Sequence, residues 1–166
     1  MKKIRIFSLV LLLVLSVVML SSCNLCDGEE KTFYADSYNF SIVLTEDFKE
    51  IEVDKCFFAA QHKFLFEDVT VAAQKITIYG GGTPTLSYVV DSLESQYKQA
   101  GFEVTNTGYN YIETQKSQFG IPVYLYGYIV KNGSSFYLVE FACLEKDKDQ
   151  CKPYFEDWAA SISFNR

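Results

Sequence analysis

Histidine is nearly missing from this chain: His62 is the only one. Any Ser-His-Asp or Cys-His arrangement would have to run through that one side chain. No G-x-S-x-G or comparable nucleophile setting accompanies it. A zinc site built from His62 and the cysteines lacks ligand spacing. With Lys63 beside it, His62 is expected on the surface at a strand end. Tryptophan is reduced to Trp158, while Tyr and Phe number 12 and 14, a balance that suits a β-rich domain. Basic residues are outnumbered, 15 Lys and Arg against 21 Asp and Glu. Such a surface is repelled by phosphate backbones, which excludes nucleic acid as a partner. No internal repeat and no extended low-complexity tract appears. The longest apolar run, Ile6 to Leu20, is broken only by Ser8 and Ser16. It is shorter than the roughly 20 residues of a spanning helix.

That run follows Lys2, Lys3 and Arg5 and ends in Leu20-Ser21-Ser22-Cys23, which is signal-peptide architecture. The ending resembles the bacterial lipobox, in which the cysteine is lipidated and becomes the mature N-terminus. The resemblance implies residues 1–22 as a lipoprotein signal peptide and a diacylglyceryl group on Cys23. The chain would then be lipid-anchored on the extracytoplasmic side of a bacterial cell membrane. Two acyl chains anchor stably where one is marginal. Cleavage leaves 144 of the 166 residues. Lys2, Lys3 and Arg5 leave with the signal and no acid does, so 12 basic residues face 21 acidic ones, a formal charge of −9. Residues 23–31 read as a lipid-anchored tether and 32–166 as one domain.

Cys23-Asn24-Leu25-Cys26 spells C-x-x-C, but the lipid would consume Cys23. Four cysteines then remain, an even number in an oxidising compartment. Cys143 with Cys151 is the expected disulfide, tying the end of a strand to the last helix, and Cys26 with Cys56 follows by elimination. Free thiols are the alternative, Cys26 above all.

Tyr38 to Leu44 alternates as a first strand, Lys55 to His62 is a second and Val69 to Tyr79 a third. In the third, the apolar positions change parity between Ala73 and Ile76, which predicts a bulge near Gln74. Gly80-Gly81-Gly82-Thr83-Pro84-Thr85 breaks the chain. A helix follows to Ala100, its stripe formed by Leu86, Val89, Val90, Leu93, Tyr97 and Ala100. Thr83 is placed to cap it, with Pro84 in its first turn and Gly101 ending it. Phe102 to Val104 and Tyr109 to Ile112 read as strand, and Gln115 to Gly120 as a polar turn. Asn132-Gly133 between Ile121–Val130 and Ser135–Leu144 is a type I′ hairpin signature, pairing Lys131 with Ser134 and Glu140 with Leu125. Val123, Leu125, Gly127 and Ile129 share one face with Phe136, Leu138, Glu140 and Ala142. The tyrosines at 124, 126, 128 and 137 share the other with Val139, Phe141 and Cys143. Two apolar faces need two covering layers. The first helix would supply one and a last helix, about Gln150 to Ser161, the other. Asp147 or Asp149 would cap that helix, with Pro153 in its first turn.

Tyr38-Asn39-Phe40-Ser41-Ile42-Val43-Leu44 with Glu46-Asp47-Phe48, and the closing Ile162-Ser163-Phe164, resemble PsbP-like domains. The related DcrB lipoproteins and a Ran-binding nuclear import factor share the pattern. In that family an F-S-I-x-L-P strand leads into a Gly-Trp turn; here Thr45 replaces the proline and Asp47-Phe48 the Gly-Trp. The resemblance implies an α+β fold, an α/β/α sandwich around an antiparallel sheet of about six strands with helices on both faces. It transfers no function, because members bind different partners.

Few residues invite chemistry. Gly80-Gly81-Gly82 lacks the G-K-[ST] of a phosphate loop. Glu145, Asp147 and Asp149 alternate with lysines and lack the glycine of a calcium loop. Glu140 interrupts an apolar face; a sheet-edge position that reaches water is the simpler expectation, and a buried one would make it the polar group of a pocket. Tyr124, Tyr126, Tyr128 and Tyr137 would form either a binding surface or the seat of a helix. The reading is a non-enzymatic binding or assembly module of the cell envelope, engaging another envelope protein, with no metal and no cofactor. The alternative is a small-ligand receptor with a pocket near the sheet face, at Glu140 or the Gly80-Gly81-Gly82 turn.

Overall fold

A computed structural model describes residues 28–62, 69–77, 84–118 and 120–164. Cys23, Cys26, Lys63, the triple glycine and Thr83 lie outside the described residues. The described chain runs β1 (Glu30–Ala35), β2 (Phe40–Thr45), β3 (Lys49–Glu50), β4 (Phe58–His62), β5 (Val69–Ile76), α1 (Leu86–Gln99), β6 (Glu103–Thr107), β7 (Tyr111–Gln118), β8 (Ile121–Asn132), β9 (Ser135–Leu144), α2 (Lys148–Ala160) and β10 (Ser163–Phe164). Single 3-10 turns lie at Asp36–Tyr38 and Glu145–Asp147.

The fold is α+β, with one difference from the expected six-stranded sandwich. Seven strands form the main antiparallel sheet, in the order β3-β4-β5-β9-β8-β7-β6. The strand read as first, β2, belongs instead to a separate sheet, β1-β2-β10. One face of the main sheet carries α1, which lies across β6, β7 and β8. The other is covered jointly by α2 and the small sheet. Phe33, Phe40, Ile42 and Leu44 of the small sheet join Phe155 and Trp158 of α2 over Val71, Tyr124 and Phe141. β1 starts at Glu30, two residues inside the segment read as tether.

The stripe on α1 buries Val89, Val90, Leu93 and Tyr97 against Ile112, Ile129, Phe136 and Leu138. The cap is Thr85 and not Thr83: Thr85 is extended, and its hydroxyl accepts from the Tyr88 N–H at 3.2 Å. Pro84 therefore precedes the helix. At the other end Gly101 has φ +81°. Phe102 N–H donates to the Tyr97 carbonyl at 2.9 Å and Gly101 N–H to the Lys98 carbonyl at 3.1 Å. This is a Schellman stop, completed by ring contact between Tyr97 and Phe102.

Three further expectations change. β5 pairs with β9 in unbroken register from Thr70 to Ile76, so there is no bulge at Gln74. Both faces of β5 are buried, and apolar residues of both parities follow from that. The segment read as a polar turn from Gln115 is strand as far as Gln118. The hairpin turns at Gly133-Ser134, so Asn132 pairs with Ser135 and Lys131 with Phe136. Only Gly133 of the two loop residues has positive φ, which is the type II′ pattern. The register moves by two residues. Every side chain keeps its face, and Glu140 gains a new partner, Gly127. In α2, Pro153 stands in the second turn, and Asp147 occupies the cap position without a side-chain capping hydrogen bond.

Candidate functional site

Glu140 is buried, not at a sheet edge: β9 lies between β5 and β8 in the middle of the main sheet. Its cross-strand neighbours are Ala72 and Gly127, the smallest side chains available. Ile112, Leu138 and the Tyr97 side chain of α1 fill the space over Gly127. The Schellman stop sets Tyr97 above it, and the Tyr97 hydroxyl donates a short hydrogen bond to Glu140 Oε1. Gln74 Nε2 donates to Oε2 at 3.4 Å. A Cβ on Gly127 would stand 3.1 Å from the Ile112 methyl and 3.5 Å from the Tyr97 hydroxyl, so glycine keeps the approach open. Burial pushes the Glu140 acid up to about 7, against the pull of the Tyr97 and Gln74 hydrogen bonds. Burial, then the charge and hydrogen bond of Glu140, raise the Tyr97 phenol well above its ordinary value.

On the opposite face stands an acid that sequence reasoning missed. Glu113 of β7 is 1% exposed. Lys152 Nζ donates to its Oε1 at 2.7 Å, Asn106 Nδ2 to the same oxygen at 3.0 Å, and the Tyr124 hydroxyl to Oε2 at 3.0 Å. Lys148 Nζ lies 3.9 Å from Oε2 and sits over the Tyr124 ring. Burial alone would raise the Glu113 acid. The hydrogen bonds from Lys152, Asn106 and Tyr124 and the Lys152 charge outweigh it and hold it below the usual range. Glu113 thereby latches α2 onto β6, β7 and β8.

The tyrosine row is the seat of that helix. Tyr124, Tyr126 and Tyr137 are buried and Tyr128 is half-buried. The Tyr124 ring stacks on Phe155 of α2 with its plane 4° away. The row is no open binding surface, because α2 and the small sheet lie over it. Burial also raises the Tyr124 and Tyr126 phenols, so both stay neutral donors.

His62 is buried as well, contrary to the surface position expected. β4 is an interior strand, and the imidazole packs edge-on to Phe48 with Nε2 3.7 Å from Asp47 Oδ2. Burial lowers its pKa, and Asp47 partly opposes this. Cys143 of β9 and Cys151 of α2 are thiols in side-chain contact, both buried. That contact and burial hold the Cys143 thiol far above its ordinary value. Cys56 is a half-buried thiol pushed up to about 11, mainly by burial and then by the charges of Glu140 and Asp54. It is not a thiolate at neutral pH. The acids at 145, 147 and 149 belong to the turn and first residues of α2. Among the described residues no cluster of three or more potential metal ligands occurs.

The open concavity lies elsewhere, in a cleft of about 520 Å³ between the end of β1 and residues 50–59. Phe57 and Phe58 line it, with Glu50, Glu52, Asp54 and Cys56 along one wall. Tyr34, 57% exposed, stands at its margin. At one end, Cys56 N–H donates to the Val53 carbonyl at 3.1 Å, with Lys55 at φ +67°. Nothing in the sequence marked this cleft, since its wall is a short polar segment between two strands.

No family model matches the chain, and no curated protein matches it in sequence. Solved structures do match in shape. The solution structure of the cyanobacterial PsbP, CyanoP, from Synechocystis superposes with a TM-score of 0.54 at 14% identity, covering 88% of this chain and 99% of that one. LpqN of Mycobacterium tuberculosis, described as involved in cell envelope biogenesis, gives 0.52 at 11% identity, with 76% and 83% covered. A Pseudomonas aeruginosa protein of unknown function, described as a putative regulator, gives 0.50 at 12% identity, with 78% and 93% covered. At these identities the likeness is one of fold.

Proposed function

We propose that this chain is a lipid-anchored, extracytoplasmic binding module that engages another protein of the bacterial envelope and carries out no catalysis itself. The observation that carries this reading is the open cleft beside β1, with aromatic lining and acidic walls, in a chain whose sequence begins with a lipobox-like anchor. The involvement of LpqN, a similar fold, in cell envelope biogenesis is in keeping with it. The alternative, a small-ligand receptor at Glu140, has less support. That acid is satisfied within the fold by Tyr97 and Gln74 and needs no ligand to complete it.

Cross-linking in native membranes, followed by affinity purification of the tagged chain, tests the proposal. One dominant envelope protein is expected to remain attached. Cys23→Ser should release the chain from the membrane and abolish that cross-link. A Cys23→Ser chain that stays membrane-bound, or a cross-link pattern no different from an unrelated lipoprotein's, would overturn the reading.

An oxidising compartment has a consequence for the buried thiols. Cys143 and Cys151 are expected to be joined, two thiols yielding two protons and two electrons to a disulfide oxidant that leaves as a dithiol. The loop closed is short, so the bond should add about 2–3 kcal/mol. A non-reducing peptide map should show the cross-link, and reduction should lower the unfolding midpoint. Quantitative alkylation of both thiols after denaturing without reductant would refute it.

A further inference from the structure

Two strand edges have no partner strand among the described residues: β1 pairs with β2, and β3 with β4 at the end of the main sheet. Both leave the same corner, where Glu46 N–H donates to the Glu29 carbonyl at 2.9 Å and the Phe48 N–H to that of Thr45 at 3.2 Å. From there β1 and residues 49–53 lead to the two sides of the cleft. Among the described residues no backbone hydrogen bond joins β1 to residues 49–53. Unpaired edges offer a row of N–H and C=O groups to any extended chain of matching chemistry. Of the residues that line the cleft, Glu50, Glu52 and Asp54 are exposed acids and Lys55 the one base; Lys31 of β1 and Lys49 of β3 are exposed but do not line it. A second copy of this acidic chain would be repelled there, and a basic segment attracted.

We infer that the cleft takes an extended, lysine- or arginine-bearing segment of a protein partner, added as a strand at these open edges. Backbone groups would supply the pairing. Alternate side chains of the segment would point to opposite faces, one set to the acids and the other to the half-buried Phe57. The inference rests on the protein-binding reading above and locates its site.

The full chain in mild detergent should be mixed with a short synthetic peptide alternating lysine with threonine, and amide hydrogen exchange followed by mass spectrometry. Slowed exchange is expected in β1 or residues 49–53, with none from the glutamate–threonine counterpart. Glu52→Lys with Asp54→Lys should weaken binding at least about tenfold, while Asp91→Lys, an exposed reversal on α1, should not. Unchanged exchange at both edges, equal binding of the acidic peptide, or indifference to the double reversal would overturn the inference. If the membrane partner cross-links away from the cleft, this site is wrong and the envelope reading stands. If the peptide binds in the cleft and no membrane partner is captured, the envelope reading falls and the cleft stands.

Discussion

As pH rises from about 4.5 to about 8, Glu140 alone is expected to cost the folded domain roughly 3 kcal/mol, and Glu140→Gln to remove that cost. The acid has its ordinary value of 4.5 in the unfolded chain and about 7 in the fold. Across that window the folded state binds the proton more tightly. Its contribution is full below 4.5 and is lost as pH rises through 7. The cause is burial between Ala72 and Gly127 beneath α1, which the neutral donors Tyr97 and Gln74 only partly offset. Glutamine keeps an acceptor for the Tyr97 hydroxyl and carries no charge. His62 acts in the opposite sense. Its pKa is lowered in the fold, so its contribution is present above 6.5 and is lost as pH falls below that. The two overlap, so the informative quantity is the difference between wild type and Glu140→Gln in denaturant unfolding at each pH. That difference should be small below about 4.5, grow between about 4.5 and about 7, and level off above that. A difference independent of pH would mean that Glu140 is not the titrating group.

Glu113→Ala is expected to destabilise the domain by about 3 kcal/mol, among the largest effects of any single exposed or buried acid here. The substitution strands the Tyr124 hydroxyl, whose residue is fully buried, and takes from Lys152 and Asn106 their shared acceptor. Glu113→Gln keeps an oxygen for Lys152 and Asn106, so its cost should be roughly half as great. The pH response runs opposite to that of Glu140. The Glu113 acid is held below its usual 4.5, so its contribution is present above 4.5 and is lost as pH falls below it. Denaturant midpoints of the two variants at neutral pH would decide the matter. If alanine and glutamine cost the same small amount, Glu113 is no latch and α2 is held by its aromatic face alone.

The helices were legible because each is an amphipathic stripe with a stop: Val89, Val90, Leu93 and Tyr97 before Gly101, and Phe155 and Trp158 after the Asp147 turn. The faces of the β8–β9 hairpin were legible too, because a register error of two residues preserves side-chain parity. The partner of Glu140 was not, because Asn132-Gly133 suggests two positive-φ positions and the turn uses only one, at Gly133. β1 escaped notice because Glu-Lys-Thr-Phe-Tyr-Ala, an edge strand, carries its charges outward and buries only Phe33 and Ala35. Glu113 was hidden between Tyr109–Ile112, which reads as strand, and Gln115–Gly120, which reads as a polar turn, where strand β7 in fact runs through. One signal pointed to it. A buried row of tyrosines needs acceptors for its hydroxyls, and a neighbouring strand is where one must stand. His62 was misplaced because a polar neighbour in sequence says nothing about whether the strand lies inside a sheet.

The small sheet takes its third strand from beyond α2. Ser163 and Phe164 pair with Ser41 and Phe40, and the Ser41 and Ser163 hydroxyls meet at 2.8 Å across 122 positions of sequence. β1 and β2 are neighbours in sequence and can pair locally, but the other edge of β2 is sealed only by β10. Closing so long a loop costs chain entropy before the contact repays it, so the second layer is expected to complete late and to set the pace of folding.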